Sequence, residues 1–442
     1  MLVAFAGVYR WTTAPFCAGV ALLCAVQRPP VGRRTGGVLD WALLACLAVV
    51  AAQMIPLPGA TRDRLSPEAI TIDRAVRIDT PPAIRPPHAV SIDVESTIWA
   101  FALGASYLGL FWCARATFSR GGVRTTVRGV AWLGLALTAL VAVQRATSPD
   151  LLYWYWRPFT PKATPYGPFV NRNALATWLA MAIPLVVGYA MAHYRSRRRE
   201  GAGISVEAID STQVWLAGAV VLMTGGLLGS LSRAGMIGGF AGLLTFMLLA
   251  QSRIAKKRNL MLMVAGLGVL IIASSYFANL GALAMRMQET TERGEWGRPV
   301  IWRDTWRMVS DFWLTGVGAG AYQQGMLVYQ SGSRLFFFNQ AHDEYLQLMA
   351  EGGILLAVPA AMAMLAAAVQ MANRLRTDHT AIFWVRAGAI SGIVSAAIHG
   401  IWDTSLRTPA DGALFAIIAA IALHEARPVQ VRANGPYRSQ QK

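Results

Sequence analysis

Charge is the scarcest commodity in this 442-residue chain: Asp, Glu, Lys and Arg together make up 14% of it. Soluble domains carry about 25%, so an ordinary water-soluble enzyme is excluded. Cysteine is scarce too. The four present, Cys17, Cys24, Cys46 and Cys113, lie in apolar runs with no CxxC pair, which argues against a disulfide framework or a zinc site and leaves them as small packing residues. A phosphate loop of the GxxxxGK[ST] type is missing, which disfavours an ATP-driven pump. There is no glycine period, so collagen is out, and 15 Trp, 16 Phe and 12 Tyr exclude a disordered chain.

What the chain has in abundance is apolar length. Hydrophobic residues make up 55% of it and the mean hydropathy is +0.42. Runs of about 20 such residues span a bilayer, and they recur at 2–26, 38–57, 97–114, 129–144, 174–193, 214–231, 236–251, 259–279, 352–372, 381–399 and 411–424. The fold class this predicts is all-α: a polytopic transmembrane helical bundle of about 11–12 spans.

The net charge of +17 raises the question of nucleic acid, and location answers it. Residues 27–37, 115–128, 194–200, 252–258, 373–380 and the tail from Glu425 hold 21 Lys or Arg against three acids, and the rest of the chain is nearly neutral. These segments fall on alternate connections, so the whole surplus sits on one face, as positive-inside loops require. No nucleic acid is expected as a partner. The C-terminus is then cytoplasmic and eleven spans put the N-terminus outside. Without a basic n-region or a cleavage site, either the chain is N-out or residues 1–7 are the remnant of an earlier helix. Arg10 and Trp11 read as an interfacial turn, which favours the second.

The organisation is 1–279 with eight spans and outer loops at 58–96 and 145–173, a large outer loop at 280–351, further spans at 352–424 and a basic tail at 425–442. Loop 58–96 is proline-rich with five arginines and six acids, and reads as solvated. Loop 145–173 carries Tyr153-Trp154-Tyr155-Trp156; the plain reading is an interfacial aromatic belt, the functional one stacking on sugar faces. The large loop carries Arg286, Arg293, Arg298, Arg303 and Arg307 among Trp and Phe. Pro299 and the proline-free run to Phe312 predict a helix with proline in its first turn, Trp302 and Trp306 on one face and Arg303 and Arg307 on another. Such a helix lies on the membrane or caps a cavity. No internal repeat has a clear period.

Four constellations have chemical potential. Gly316-Val-Gly-Ala-Gly320 follows no strand, so a tight turn is expected rather than a nucleotide loop. Ser232-Arg233-Ala234-Gly235 sits at a turn of about four residues between two spans; Arg233 either snorkels or, with the following helix N-terminus, forms an anion site. His342-Asp343-Glu344 stands at the mouth of a span, where a histidine beside carboxylates suits a general base. His399 near Asp403 is its competitor. Glu351 before Gly352-Gly353 is expected to begin a span, stabilised by the helix dipole.

In their order, the Ser-Arg-Ala-Gly turn, Gly297-Arg298-Pro-Val-Ile-Trp302, Gly316-Val-Gly-Ala-Gly320, His342-Asp-Glu-Tyr-Leu346 and Glu351-Gly-Gly resemble the O-antigen ligase and polymerase superfamily, as does Gly167-Pro-Phe-Val-Asn171-Arg-Asn173. The resemblance covers roughly 145–400. It implies a cofactor-free, metal-independent glycosyltransferase with a GT-C-like fold in the bacterial inner membrane, its active site facing the periplasm. The implied donor is an undecaprenyl-diphosphate-linked glycan; the implied acceptor is lipid A–core for a ligase or a growing glycan for a polymerase. Membrane lipid surrounds the protein. By the resemblance Arg233, Arg298 and His342 are catalytic, with Arg303, Asn171, Asn173, Asp343 and Glu344 as substrate-binding candidates and Asp343 or Glu344 orienting the imidazole. The chain has His342-Asp343 where the family often has His-Asn, and Ala234 where it often has Gly; the first leaves ligase and polymerase both open. A lipid-linked glycan flippase is the alternative of another class, and spans nearly free of charge speak against it. A scaffold would leave the outer arginines and aromatics unexplained.

Overall fold

The computed structural model describes residues 5–32, 37–76, 87–159, 165–199, 210–254, 268, 298–332 and 337–425. The predicted span at 259–279, apart from Gly268, together with Arg286, Arg293, Gly297 and the basic tail, lies outside them. The described chain is helical: α1 Arg10–Gln27, α2 Gly37–Ala52, α3 Gly59–Leu65, α4 Ala69–Val76, α5 Val94–Phe118, α6 Val123–Thr147, α7 Arg172–Arg199, α8 Ser211–Gly229, α9 Arg233–Gln251, α10 Arg298–Asp311, α11 Tyr322–Tyr329, α12 Glu344–Thr377, α13 Ile382–His399 and α14 Pro409–Leu423. Seven of these are long and apolar enough to cross a membrane, and α2 and α14 are shorter apolar helices. The protein is a multi-pass helical bundle.

The first span differs from the expected 2–26. Phe5 and Ala6 adopt φ of 51° and 52°, outside helical space, so the helix opens only at Arg10. Its neighbours begin where their sequences supply caps. Asp93 accepts from Ser96 N at 3.1 Å and Asp210 from Gln213 N at 2.9 Å, each satisfying an N–H that has no partner within its own helix.

At the centre, α13 packs against both α7 and α9. The approach is backbone to backbone: a Cβ on Gly388 would strike Pro184 O, one on Gly392 would lie 2.6 Å from Met181 O, and one on Gly238 2.7 Å from Ser395 O. Small residues are what let membrane helices come this close. The outward surface of α12 is apolar instead, with Ile354, Leu355, Val358, Met362, Leu365 and Val369 exposed, as suits contact with lipid.

α12 is one helix with a break inside it. Gly353 has φ 55° and ψ −161°, which interrupts the hydrogen-bond ladder, and the segment after α10 repairs it. Ile354 N donates to Trp313 O at 2.8 Å, while Val317 N and Gly318 N donate to Ala350 O and Glu351 O at 2.9 and 3.0 Å. Gly316, Gly318 and Gly320 all have positive φ, and a Cβ on Gly316 would collide with the Glu351 backbone. The glycine run is thus a turn shaped to the break. Buried Gln53, just beyond α2, ties both sides: its amide donates to Thr315 O and Glu351 O at 2.8 Å each and accepts from Ala319 N at 3.0 Å.

In its described residues, 58–76 and 87–96, the loop at 58–96 is more than a solvated linker. It contains α3 and α4, and Ala69 and Ile72 are buried in a second apolar cluster with Ile301, Met308, Phe312, Tyr322 and Met326. α10 starts at Arg298 with Pro299 in its first turn, buries Ile301, Thr305, Met308 and Val309, and leaves Trp306 exposed. α3, α4, α10 and α11 form a cap over one end of the bundle.

Candidate functional site

Under that cap the ends of α7, α9, α10, α12 and α13 meet. Ser232 caps α9, accepting from Gly235 N at 3.2 Å, and places Arg233 in the first turn, exposed at the bundle's end. Leu231, with φ 54°, makes the tight reversal out of α8. Arg298 occupies the first turn of α10, close enough to feel the charges of Arg233, Asp403 and His399. Burial pulls the Arg298 guanidinium below its ordinary value, Asp403 opposes that, and the like charge of Arg233 lowers it further. A partly desolvated guanidinium with a second, exposed one near enough to repel it is well suited to receive an anion.

His342 precedes α12 with φ 53°, an uncommon left-handed conformation for a residue with a side chain. Its carbonyl neighbour Ala341 is locked: Ala341 N donates to Gln347 Oε1 at 2.9 Å and Ala341 O accepts from Trp302 Nε1 at 3.0 Å. His342 Nδ1 lies 3.6 Å from Asp403 Oδ1, and His399 Nε2 lies 3.9 Å from Asp403 Oδ2. Burial pushes the Asp403 carboxyl up, but the two imidazoles and the Thr404 N–H outweigh it and hold the group down at about 2. Asp403 is therefore a buried permanent anion between two histidines. His399 is itself buried, with Nδ1 hydrogen-bonded to the Thr177 hydroxyl; His342 is the more accessible ring, its side chain 32% exposed.

The structure brings Arg233, Arg298 and His342 to one locality and separates the other expected residues from it by function. Asp343 is the N-cap of α12, accepting from Tyr345 N and Leu346 N at 3.0 and 2.9 Å. Glu344 faces Arg407 at 3.4 Å. Neither carboxylate is the one beside the imidazole; that is Asp403, 61 positions downstream of His342 and invisible as its partner in the local sequence. Asn171 accepts from Asn173 N at 2.9 Å and so starts α7, while Asn173 O accepts from the Thr177 hydroxyl at 3.0 Å. Arg303 lies exposed on α10, 3.0 Å from Ser331 Oγ and 3.7 Å from Asp304. Glu351, expected at a helix start, lies in the turn before the Gly353 break. Its carboxylate takes two bonds from Arg407, at 2.8 and 3.0 Å, and one from Gln347 at 2.9 Å. The charge of Arg407, rather than a helix dipole, stabilises it.

The site end carries the N-termini of α5, α7, α9 and α12, and Arg115, Arg120, Arg124, Arg195, Arg253, Arg374 and Arg376 lie at the opposite end. The arginine-rich face read from sequence is thus remote from the site.

Together these features define a class: a multi-pass membrane protein that gathers guanidinium, imidazole and carboxylate groups at one end of its bundle. Residues 218–361 match the family model described as O-antigen ligase. The match runs from within α8 to within α12 and takes in Arg233, Arg298 and His342. This stretch is thus similar to O-antigen ligases, in keeping with the motifs, and the similarity supports a ligase/polymerase type of function. No curated protein matches the chain.

Proposed function

We propose that the protein transfers a glycan from an undecaprenyl-diphosphate carrier to an acceptor hydroxyl, lipid A–core in the ligase reading, at the periplasmic face of the bacterial inner membrane. The observation that carries the proposal is the meeting of Arg233, Arg298, His342 and Asp403 at the end remote from the arginine-rich loops.

In this reaction the acceptor oxygen attacks the anomeric carbon, the bond from that carbon to the phosphate oxygen breaks, and the pyrophosphate leaves with the bonding pair. Arg233 and Arg298 receive the charge it gains; a partly buried guanidinium gives fixed, charge-assisted bonds to phosphate oxygens. His342 takes the proton of the attacking hydroxyl. With Nδ1 turned to Asp403, the ring proton resides on that nitrogen and Nε2 is left as the base. The 3.6 Å separation is longer than a hydrogen bond, and such contacts commonly tighten when substrate arrives. Asp403 then steadies the imidazolium without itself taking the proton.

The decisive experiment supplies purified protein with undecaprenyl-diphosphate glycan, with and without lipid A–core. Product that needs the core establishes the ligase, whereas a ladder from donor alone makes the protein a polymerase. Movement of the lipid-linked glycan across vesicles with no new bond would overturn both.

A further inference from the structure

At the end opposite the site, the inner termini of α7, α9 and α13 enclose a cleft of about 320 Å³. Typical ligand clefts measure roughly 300–1,000 Å³. Its chemistry is specific. Arg195 lies over the Trp384 ring at 5.1 Å and Arg253 over the Phe383 ring at 4.9 Å. Both guanidiniums therefore rest over aromatic rings, a contact that restrains their long side chains. Arg253 is anchored further, donating to Asp378 O at 3.0 Å and to His379 Nδ1 at 2.8 Å. Ser196 and Thr380 line the same cleft. Its acid, Asp378, is paired with buried Arg386 at 3.4 Å.

We propose that this cleft binds the phosphate of an anionic phospholipid headgroup. The phosphate chemistry follows from the two guanidiniums; the lipid source follows from position. The cleft opens where three apolar helices end, on the arginine-rich face, the place where basic pockets between spans meet anionic headgroups. Its Phe383 and Trp384 sit at the first turn of α13, the level at which aromatic rings meet the bilayer interface. The three helices are also the ones whose far ends carry Thr177, Arg233 and His399, so an occupied cleft clamps the inner ends of the helices that form the site. The inference does not rest on the transfer reaction.

The test is native mass spectrometry of the full-length, detergent-purified protein titrated with phosphatidylglycerol, phosphatidylcholine or inorganic phosphate. Phosphatidylglycerol is expected to bind in preference to phosphatidylcholine. The Arg195→Gln/Arg253→Gln variant should bind it at least tenfold more weakly. Arg376→Gln, which removes an equal type of charge from the same face outside the cleft, should bind as wild type. Arg195→Lys/Arg253→Lys should retain part of the affinity, and because bound lipid is counted directly, a loss of stability cannot imitate a loss of binding. Equal binding of the two lipids, or unchanged binding by the double Gln variant, overturns the proposal. Saturation by inorganic phosphate with no lipid preference replaces the headgroup with a soluble anion and overturns the lipid assignment.

Discussion

His342, Arg298 and Asp403 carry different parts of one job, and single substitutions should separate them. His342→Ala is expected to lower transfer by about 10²–10⁴-fold, the usual worth of a general base, while the protein still accumulates in the membrane. Arg298→Ala should cost on the order of 10²–10³-fold, as loss of one transition-state donor does. Arg298→Lys should recover only part, since an ammonium lacks the planar fork; full activity in the Lys variant would remove the diphosphate role. Asp403→Asn should lower transfer with little change in membrane content. Because the Asp403 carboxyl is held down at about 2, the stability it contributes is complete above the ordinary carboxylate range near ~4 and is lost as pH falls through its folded value. Between pH 5 and 8 it does not titrate, so an acid limb in a pH–rate profile there belongs to another group. Asp343 provides the contrast. Asp343→Ala should cost about 1 kcal/mol of stability through the lost cap, and Asp343→Asn, which still caps, should transfer at the wild-type rate.

At the scale of elements, the break in α12 organises the mouth of the site. Gly353 sits in a conformation open essentially to glycine alone, with Leu314 O against the position a Cβ would occupy. Gly353→Ala is expected to destabilise by roughly 1–3 kcal/mol, read as a lower melting temperature in detergent. Gln53→Ala should be comparable: it strands Thr315 O and Ala319 N, which the Gln53 amide now serves, while Glu351 O keeps the Gly318 N–H, at about 1–3 kcal/mol for each group left unpaired. The proline in the first turn of α10 and the turn at Gly316–Gly320 were legible because local sterics settle them. The helix break was not: Gly352-Gly353 reads as the start of a span, and only the backbone of residues 313–318, packed alongside, lets one helix continue through it.

Across the whole molecule, the charge asymmetry and the helix order agree on two faces. In a background without native cysteines, Ser331→Cys at the cap should react with a membrane-impermeant maleimide from outside, and Arg376→Cys only after permeabilisation. Equal labelling of the two would dismantle the periplasmic assignment of the site. The backbone-on-backbone crossing of α13 with α7 predicts that Gly388→Val, which drives a side chain into Pro184 O, destabilises the bundle and lowers transfer without touching a site residue.

Apolar run length determined a multi-pass membrane bundle from sequence, and the short motifs around Arg233, Arg298 and His342 its similarity to O-antigen ligases, because each is a property of neighbours along the chain. Tertiary structure alone decided which carboxylate serves the imidazole. Asp343 and Glu344 are adjacent to His342 in sequence, yet the entry into α12 turns one toward its own helix N–H groups and the other toward Arg407. Asp403 arrives from beyond α13, carried there by the packing of that helix between α7 and α9. Proximity through space is set by how helices cross, and no spacing within a single segment encodes it.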